Sequence, residues 1–396
     1  MATVDPIPDL TPPAPQAGYE LLVVLAPLPP EQLDSIVGRL AGLFPSESLL
    51  IATQNGFSPE SWPGTHIIAA PASNSTWTLT AADFANAAQL AREHDARNLL
   101  LLGPEAGSLS PAALRQLTNS VLAGIADLAL PHYTIPPNVG LVNSAILYPL
   151  TRALFASRAR YPLAIDMGLS QRMAERLGAA ARRFTGIGQS DAILWPIPEA
   201  VIGGYIIDEF EVGSRTLPHP PDPDIRTILA QITSSLFSDI ESKASYWQRA
   251  RRLPPSRISV PPQPATDGSS EVGTMVESFR LAYNNLLELW SLVLPPNSMV
   301  GLKRLYLLDP TRFHMPDNLW ARIVYDFLVA YRLRSINRGH LLGALIPLYL
   351  AWVASHINLC ASGVDPERHI EAVAAAFDAD KPYLVSRWRW PDRFNP

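Results

Sequence analysis

Short apolar runs alternate with helix-length amphipathic segments through the first third of the chain, and few architectures accept that alternation. Leu21-Leu22-Val23-Val24-Leu25 is bounded by Pro27, Pro29 and Pro30, which suits a buried first strand. Leu49-Leu50-Ile51-Ala52, His66-Ile67-Ile68-Ala69 and Asn98-Leu99-Leu100-Leu101-Leu102 read as further strands, the last stopping at Gly103-Pro104. Between them, Glu31 to Leu43 places Leu33, Ile36, Val37 and Leu40 at helical spacing. Ala81 to Asp95 and Pro111 to Ile125 read as the next helices, with proline in a first turn where its missing N–H costs nothing. Strands and helices in this order predict an α/β domain with a mostly parallel sheet covered on both faces. Ligands of such sheets bind at the carboxyl ends of the strands. Residues 27–30, 54–57 and 103–108 are therefore the places to look for a site.

The later chain changes character. The apolar opening of Asn143 to Ser170 suits a helix, and Asp166 is expected on a turn entering the next helix at Ser170. There Asp166 or Ser170 caps the helix, or Asp166 serves chemistry. Gln189 to Val201 predicts a helix or turn-helix, and Tyr205 to Val212 a strand. Leu217 to Asp224, LPHPPDPD, is rigid and non-helical and marks a hinge. From Ile225 the apolar residues fall on one helical stripe, expected to run to Trp247 or beyond. After a Pro- and Ser-rich linker over 253–273, helices are expected near 274–294, 318–335, 338–357 and 365–378. The predicted division is a Pro-rich disordered tail over 1–18, a sheet domain over 19–222 and an α-helical domain over 223–396.

Composition removes several classes of function. A net charge of −5 gives no electrostatic case for nucleic acid. One cysteine, Cys360, excludes an intrachain disulfide and any multi-cysteine metal site. The first residues are polar with no basic start, which predicts no signal peptide and a cytoplasmic protein. Gly339 to Ser362 carries no charged residue and is long enough to span a bilayer. Pro347, His340, His356 and Asn358 within it favour a buried core helix, so no membrane span is expected. The only lysines are Lys243, Lys303 and Lys381, so a phosphate bound earlier in the chain would need Arg, His or backbone N–H groups.

Tyr148-Pro149-Leu150-Thr151-Arg152-Ala153-Leu154-Phe155, Arg160-Tyr161-Pro162-Leu163 and Asp166-Met167-Gly168-Leu169-Ser170 carry a resemblance. Together they resemble bacterial GT-A-fold glycosyltransferases related to mannosylglycerate synthase and glucosyl-3-phosphoglycerate synthase. The likeness extends loosely from Tyr19 to Arg389. It implies a GT-A-type domain, a nucleotide diphosphate sugar as donor, a small polar, glycerate-like acceptor and retention at the anomeric carbon. It also implies Mg²⁺ or Mn²⁺ held by an Asp-x-Asp pair after the fourth strand, before a Ser-x-Ser/Thr-Pro helix start. Here that start is Ser108-Leu109-Ser110-Pro111, and the pair has become Gly103 and Glu105. Glu105 either holds a cation with water and phosphate completing the shell, or is an exposed loop carboxylate. The donor-side lysine of the family has no counterpart near Leu79 to Phe84.

Other family positions match. The resemblance places Asp166 near sugar and acceptor, and Asp191 on the acceptor side unless it caps the following helix. It makes His219 a third metal or phosphate ligand beside Glu105, unless that His is an exposed bystander in its Pro-rich turn; Arg215, four residues earlier, is a candidate phosphate partner for the same site. In the helical half, Trp320 to Phe327, Pro347 to Leu350 and Lys381 to Arg389 are similar to the family. These segments read as packing scaffold, acceptor-side closure or a possible homodimer contact. Arg322 and Tyr325, three apart on a helix, are the candidate substrate-binding pair there. The trailing RWRWPDRF is either a phosphate or sugar contact or a docked tail. Three functions follow: a cation-dependent hexosyltransferase, a metal-independent one that relies on Arg and backbone donors, or a degenerate relative acting as a binding or partner subunit.

Overall fold

The computed structural model describes residues 18–55, 62–73, 75–218, 224–250 and 269–391; the predicted tail over 1–18 falls outside them except for Gly18, as do most of the predicted hinge and linker. Seven strands form one sheet in the order β3-β2-β1-β4-β6-β5-β7. They are β1 (Leu21–Leu25), β2 (Leu49–Thr53), β3 (His66–Ala69), β4 (Asn98–Leu102), β5 (Leu128–Thr134), β6 (Asp166–Ser170) and β7 (Ile207–Ser214). β6 alone runs against its neighbours, antiparallel to both β4 and β5. The predicted α/β class with a mostly parallel sheet is what the chain forms.

The reversed strand corrects one local reading. Asp166 is not on a turn before a helix but begins β6, paired with Leu102 at the carboxyl end of β4. Ser170 is the residue that caps the next helix, accepting from the Met173 N–H at 3.3 Å. Gly168 in mid-strand lets β6 lie against the helix below, because a Cβ there would sit 2.0 Å from the Leu117 carbonyl oxygen.

Side chains alternate across the strands, so each face gathers its own core. Leu21, Val23 and Leu25 pack with α1 (Pro30–Leu43) and α3 (Pro111–Leu122). Leu22, Leu99 and Leu101 pack with α2 (Ala81–Glu93) and α5 (Gln171–Thr185) on the other face. α2 opens with a reciprocal capping box between Thr80 and Asp83.

A third core belongs to the helical region. It is built from α7 (Ile225–Ser242), the short α8 (Ala244–Trp247), α9 (Ser269–Val293), α10 (Pro296–Tyr306), α11 (Asp317–Leu333), α12 (Arg338–Ala361) and α13 (Pro366–Arg389). Trp290, Trp320 and Trp352 are fully buried within it. It also takes in Ile146, Leu150, Leu154 and Phe155 from α4 (Tyr148–Phe155) and the turn before it, although these residues lie between sheet strands in sequence. α12 is the one described helix long and apolar enough to cross a membrane, yet 72% of its apolar window is buried inside the protein, as a core helix requires.

Candidate functional site

The carboxyl ends of β1, β2 and β4 meet at one rim with the amino end of β6. The loops there are tied by their own side chains. The Asn55 amide donates to the Leu28 carbonyl at 2.7 Å and accepts from the Leu28 N–H at 3.0 Å. Gln54 accepts from the Ser73 N–H at 2.6 Å, and the Ser73 hydroxyl donates to Asp83 at 3.0 Å.

Asp166 lies at the centre of this rim, with no solvent exposure. Its carboxylate accepts from Arg215 Nε at 2.8 Å and Nη2 at 3.0 Å, from the Tyr133 hydroxyl at 2.9 Å and from the Gly103 N–H at 3.1 Å. Burial, then the Asp166 charge, pushes the Tyr133 pKa well up, so its hydroxyl remains a donor. Arg215 follows β7, and its remaining N–H groups reach the Pro104 carbonyl at 2.7 Å, the Thr216 carbonyl at 3.0 Å and the Ser108 hydroxyl at 3.2 Å. Burial opposes its charge, but the Asp166 carboxylate more than offsets this and holds its pKa above the ordinary value. Sequence placed Arg215 against a diphosphate. In the fold its five N–H groups are spent on the protein, so it fixes the β4 loop instead.

Glu105 follows on that loop in the left-handed region, at φ 64° and ψ 17°. A residue with a Cβ is costly there, and such backbone tends to cluster at functional sites. Its carboxylate is partly exposed, with only a long contact from Gln32 Nε2 at 3.5 Å. Gly103 is held from behind: a Cβ would lie 2.7 Å from the Ile165 carbonyl oxygen and 2.9 Å from Ile165 Cβ. The backbone thus leaves no room for the first carboxylate of a metal pair.

These residues do not fit a divalent cation. Asp166 is saturated by a guanidinium whose positive charge also acts on Glu105. No group of three or more candidate ligands gathers among the described residues, and His219 lies outside them.

The other expected site residues are dispersed. Asp191 does not cap the following helix, α6 (Pro196–Gly203), whose N-cap is Trp195. Instead it is exposed and lines a cleft of about 480 Å³ against α7. Arg322 pairs with Asp380 at 2.9 Å, lies over the Tyr383 ring and borders a cavity of about 330 Å³ with Arg304 and His314. Tyr325 is fully buried, its hydroxyl donating to the Phe377 carbonyl at 2.8 Å, so it presents no surface to a substrate.

Sequence reasoning missed a second charged system. Arg152 on α4 pairs with Glu371 at 2.6 Å and Asp378 at 2.9 Å. Arg160 reaches Glu367 at 3.0 Å, and all three acids belong to α13. The arginine run that carries part of the resemblance therefore joins the sheet region to the last helix. The spacing of Glu367, Glu371 and Asp378 along one helix is the signal that pointed there.

No protein-family model matches the chain, and no curated protein matches it significantly. Among solved structures it is similar to glucosyl-3-phosphoglycerate synthase from Mycobacterium tuberculosis in complex with Mn²⁺ and UDP-glucose. That match has 15% identity over 56% of this chain and 79% of that one, with a TM-score of 0.37. The same enzyme with Mn²⁺, UDP-glucose and phosphoglyceric acid matches at 13% identity over 62% and 90%, again with a TM-score of 0.37. A mycobacterial protein matches at 15% identity over 64% and 81%, with a TM-score of 0.36. Likenesses this distant carry no argument about chemistry; the chain is an α/β protein with a mostly parallel sheet and a helical C-terminal region, and its function has to be argued from its own site.

Proposed function

We propose that the chain transfers a hexose from a nucleotide diphosphate sugar to a small polar acceptor, and does so without a divalent cation held by paired carboxylates. In this reaction the acceptor oxygen bonds to the anomeric carbon as that carbon's bond to the diphosphate breaks. The hydroxyl proton leaves with the diphosphate, and the resemblance implies retention. The observation that carries the reading is Glu105, kept in left-handed backbone at the carboxyl end of β4 and left largely free of partners. Glu105 takes sugar or acceptor hydroxyls, while Asp166 and Arg215 act as positioning residues that set the β4 loop. We take residues 19–222 as the donor-binding domain and 223–396 as the helical domain closing the acceptor side. Asp191 belongs to that acceptor side.

A second reading is a catalytically degenerate relative serving as a binding or partner subunit. The closed backbone at Gly103 and the lack of any lysine before Lys243 favour it, since both fall where a diphosphate is otherwise held.

Calorimetric titration with UDP, GDP and their sugar conjugates, in Mg²⁺, in Mn²⁺ and in EDTA, decides between them. Micromolar donor binding that persists in EDTA and weakens at least tenfold in Glu105→Ala supports the cation-independent transferase. Binding that requires the cation overturns that form of the proposal. No binding by the folded protein leaves the partner subunit.

A further inference from the structure

The loop that carries Asp191 is seated on the sheet rim. Ala81 and Ala82, at the start of α2, donate their N–H groups to the carbonyls of Ala192 at 2.8 Å and Ser190 at 2.9 Å. α2 begins beyond the carboxyl end of β3, so this loop belongs to the ligand-binding edge of the sheet. Across from it runs α7. Trp195 Nε1 donates to the Ser235 hydroxyl at 3.0 Å, which in turn donates to the Ile193 carbonyl at 3.0 Å, fixing the two walls together.

Between the walls lies the cleft of about 480 Å³, within the range of small-molecule sites. Its lining includes Gln189, Asp191, Gln231, Ser234, Ser238 and Asp239, and no lysine, arginine or histidine. The side chains of Gln189, Asp191 and Gln231 have no hydrogen-bond partner among the described residues. One Asp239 oxygen is paired with Lys243, and the other is buried without a partner.

We propose that this cleft binds the hydroxyl groups of an uncharged polyol or sugar, and that it is the acceptor subsite of the transferase reading on which the inference rests. Carboxylates accept from sugar hydroxyls and amides both donate and accept, so the free Asp191, Gln189 and Gln231 side chains match a ring of alcohols. A carboxylate or phosphate ligand would face the open Asp191 carboxylate with no lining cation to receive it. A metal cation is a poorer match, because Lys243 already neutralises Asp239 and only Asp191 remains open. The acceptor class is thereby uncharged, in contrast to the glycerate-like one implied by the resemblance.

Saturation-transfer NMR on the full chain tests this with methyl α-D-glucopyranoside and D-sorbitol as uncharged probes and D-glycerate as the anionic one. The comparison protein is Asp191→Ala/Gln231→Ala, two exposed positions whose replacement leaves the cores intact. Saturation of the uncharged probes is expected to fall at least fivefold in that variant, while any D-glycerate signal is unchanged. The inference is overturned if no uncharged probe is saturated, if their saturation is equal in both proteins, or if D-glycerate is the probe that depends on these two residues. Donor titration on the same samples separates the two failures: donor binding without polyol binding sinks only the acceptor subsite, and loss of both sinks the transferase as well.

Discussion

At the scale of single residues, the Asp166–Arg215 pair has the largest expected effect on stability. Both side chains are fully buried, so removing one strands the other's charge. Arg215→Ala is expected to cost about 3–5 kcal/mol in urea unfolding. Arg215→Lys is expected to recover little of it, because an ammonium cannot reproduce the bidentate contact and the three further bonds. A loss below about 1 kcal/mol would contradict the positioning role. Asp326 on α11 gives a prediction about pH. It accepts from Tyr383 at 2.7 Å and Arg387 at 3.1 Å, and its second oxygen is buried without a partner. Burial pushes its pKa up to about 6 against those two partners. With a folded pKa above the ordinary carboxylate value, the folded state holds the extra proton between about pH 4 and pH 6. Stability from this group is thus present at low pH and lost as pH rises through that window. Relative to Asp326→Asn, the natural protein should lose on the order of 2 kcal/mol between pH 4 and pH 7. An equal difference in denaturation midpoint between the two proteins at both pH values would rule this out.

At the scale of elements, the legible parts of the sequence were those with local signals. β1, β2 and β4 are uniform apolar runs, and Ser110-Pro111 starts α3 as its cap and first turn require. β5 gave no such signal because it contains Pro131, which cannot donate to a ladder. The fold tolerates it: β5 pairs with β6 only through Leu128 and Ala129, so Pro131 lies where that side is already open. β6 was read as a turn because Asp, Gly and Ser are poor strand formers. Its conformation is imposed by β4 on one side and α3 below, and neither is near it in sequence. The helix expected over 365–378 continues past Pro382 to Arg389 as α13, with Trp388 buried and Arg387 bound to Asp326. Of the trailing segment, Arg387 and Trp388 are packed against the protein, while Arg389 and Trp390 are exposed. The same close packing governs the metal position. Gly103→Asp is expected to destabilise by about 1–3 kcal/mol through contact with the Ile165 backbone, and to leave Mn²⁺ binding absent in calorimetry. Tight Mn²⁺ binding by a stable variant would mean that only a missing carboxylate, and not the packing, separates this rim from a metal site.

At the scale of the whole molecule, the chain order and the core order differ. Every described strand lies between Leu21 and Ser214, which makes residues 19–222 resemble a self-contained unit. Yet α4 and the turn before it give Ile146, Leu150, Leu154 and Phe155 to the helical core, joined there by Ile193 and Trp195. Arg152 and Arg160 lie in that same stretch, and their partners Glu367, Glu371 and Asp378 are all on the final helix. Apart from the acid spacing along α13, no local pattern announces this, because an apolar helix inside an α/β sequence reads as cover for its own sheet. A fragment ending at residue 224 would expose the α4 apolar face and leave two arginines without their acids. Burying each such apolar side chain contributes about 1.5–3 kcal/mol, and domains have only about 5–15 kcal/mol in hand. The fragment should therefore lack a cooperative thermal transition and bind a hydrophobic dye, whereas the full chain melts in one step. Glu371→Gln in the full chain tests the same coupling more gently, by lowering that single melting temperature without splitting it. A fragment that unfolds cooperatively, or a Glu371→Gln protein with two separate transitions, would show the sheet region to be an independent domain and the α4–α13 contacts to be incidental to its folding.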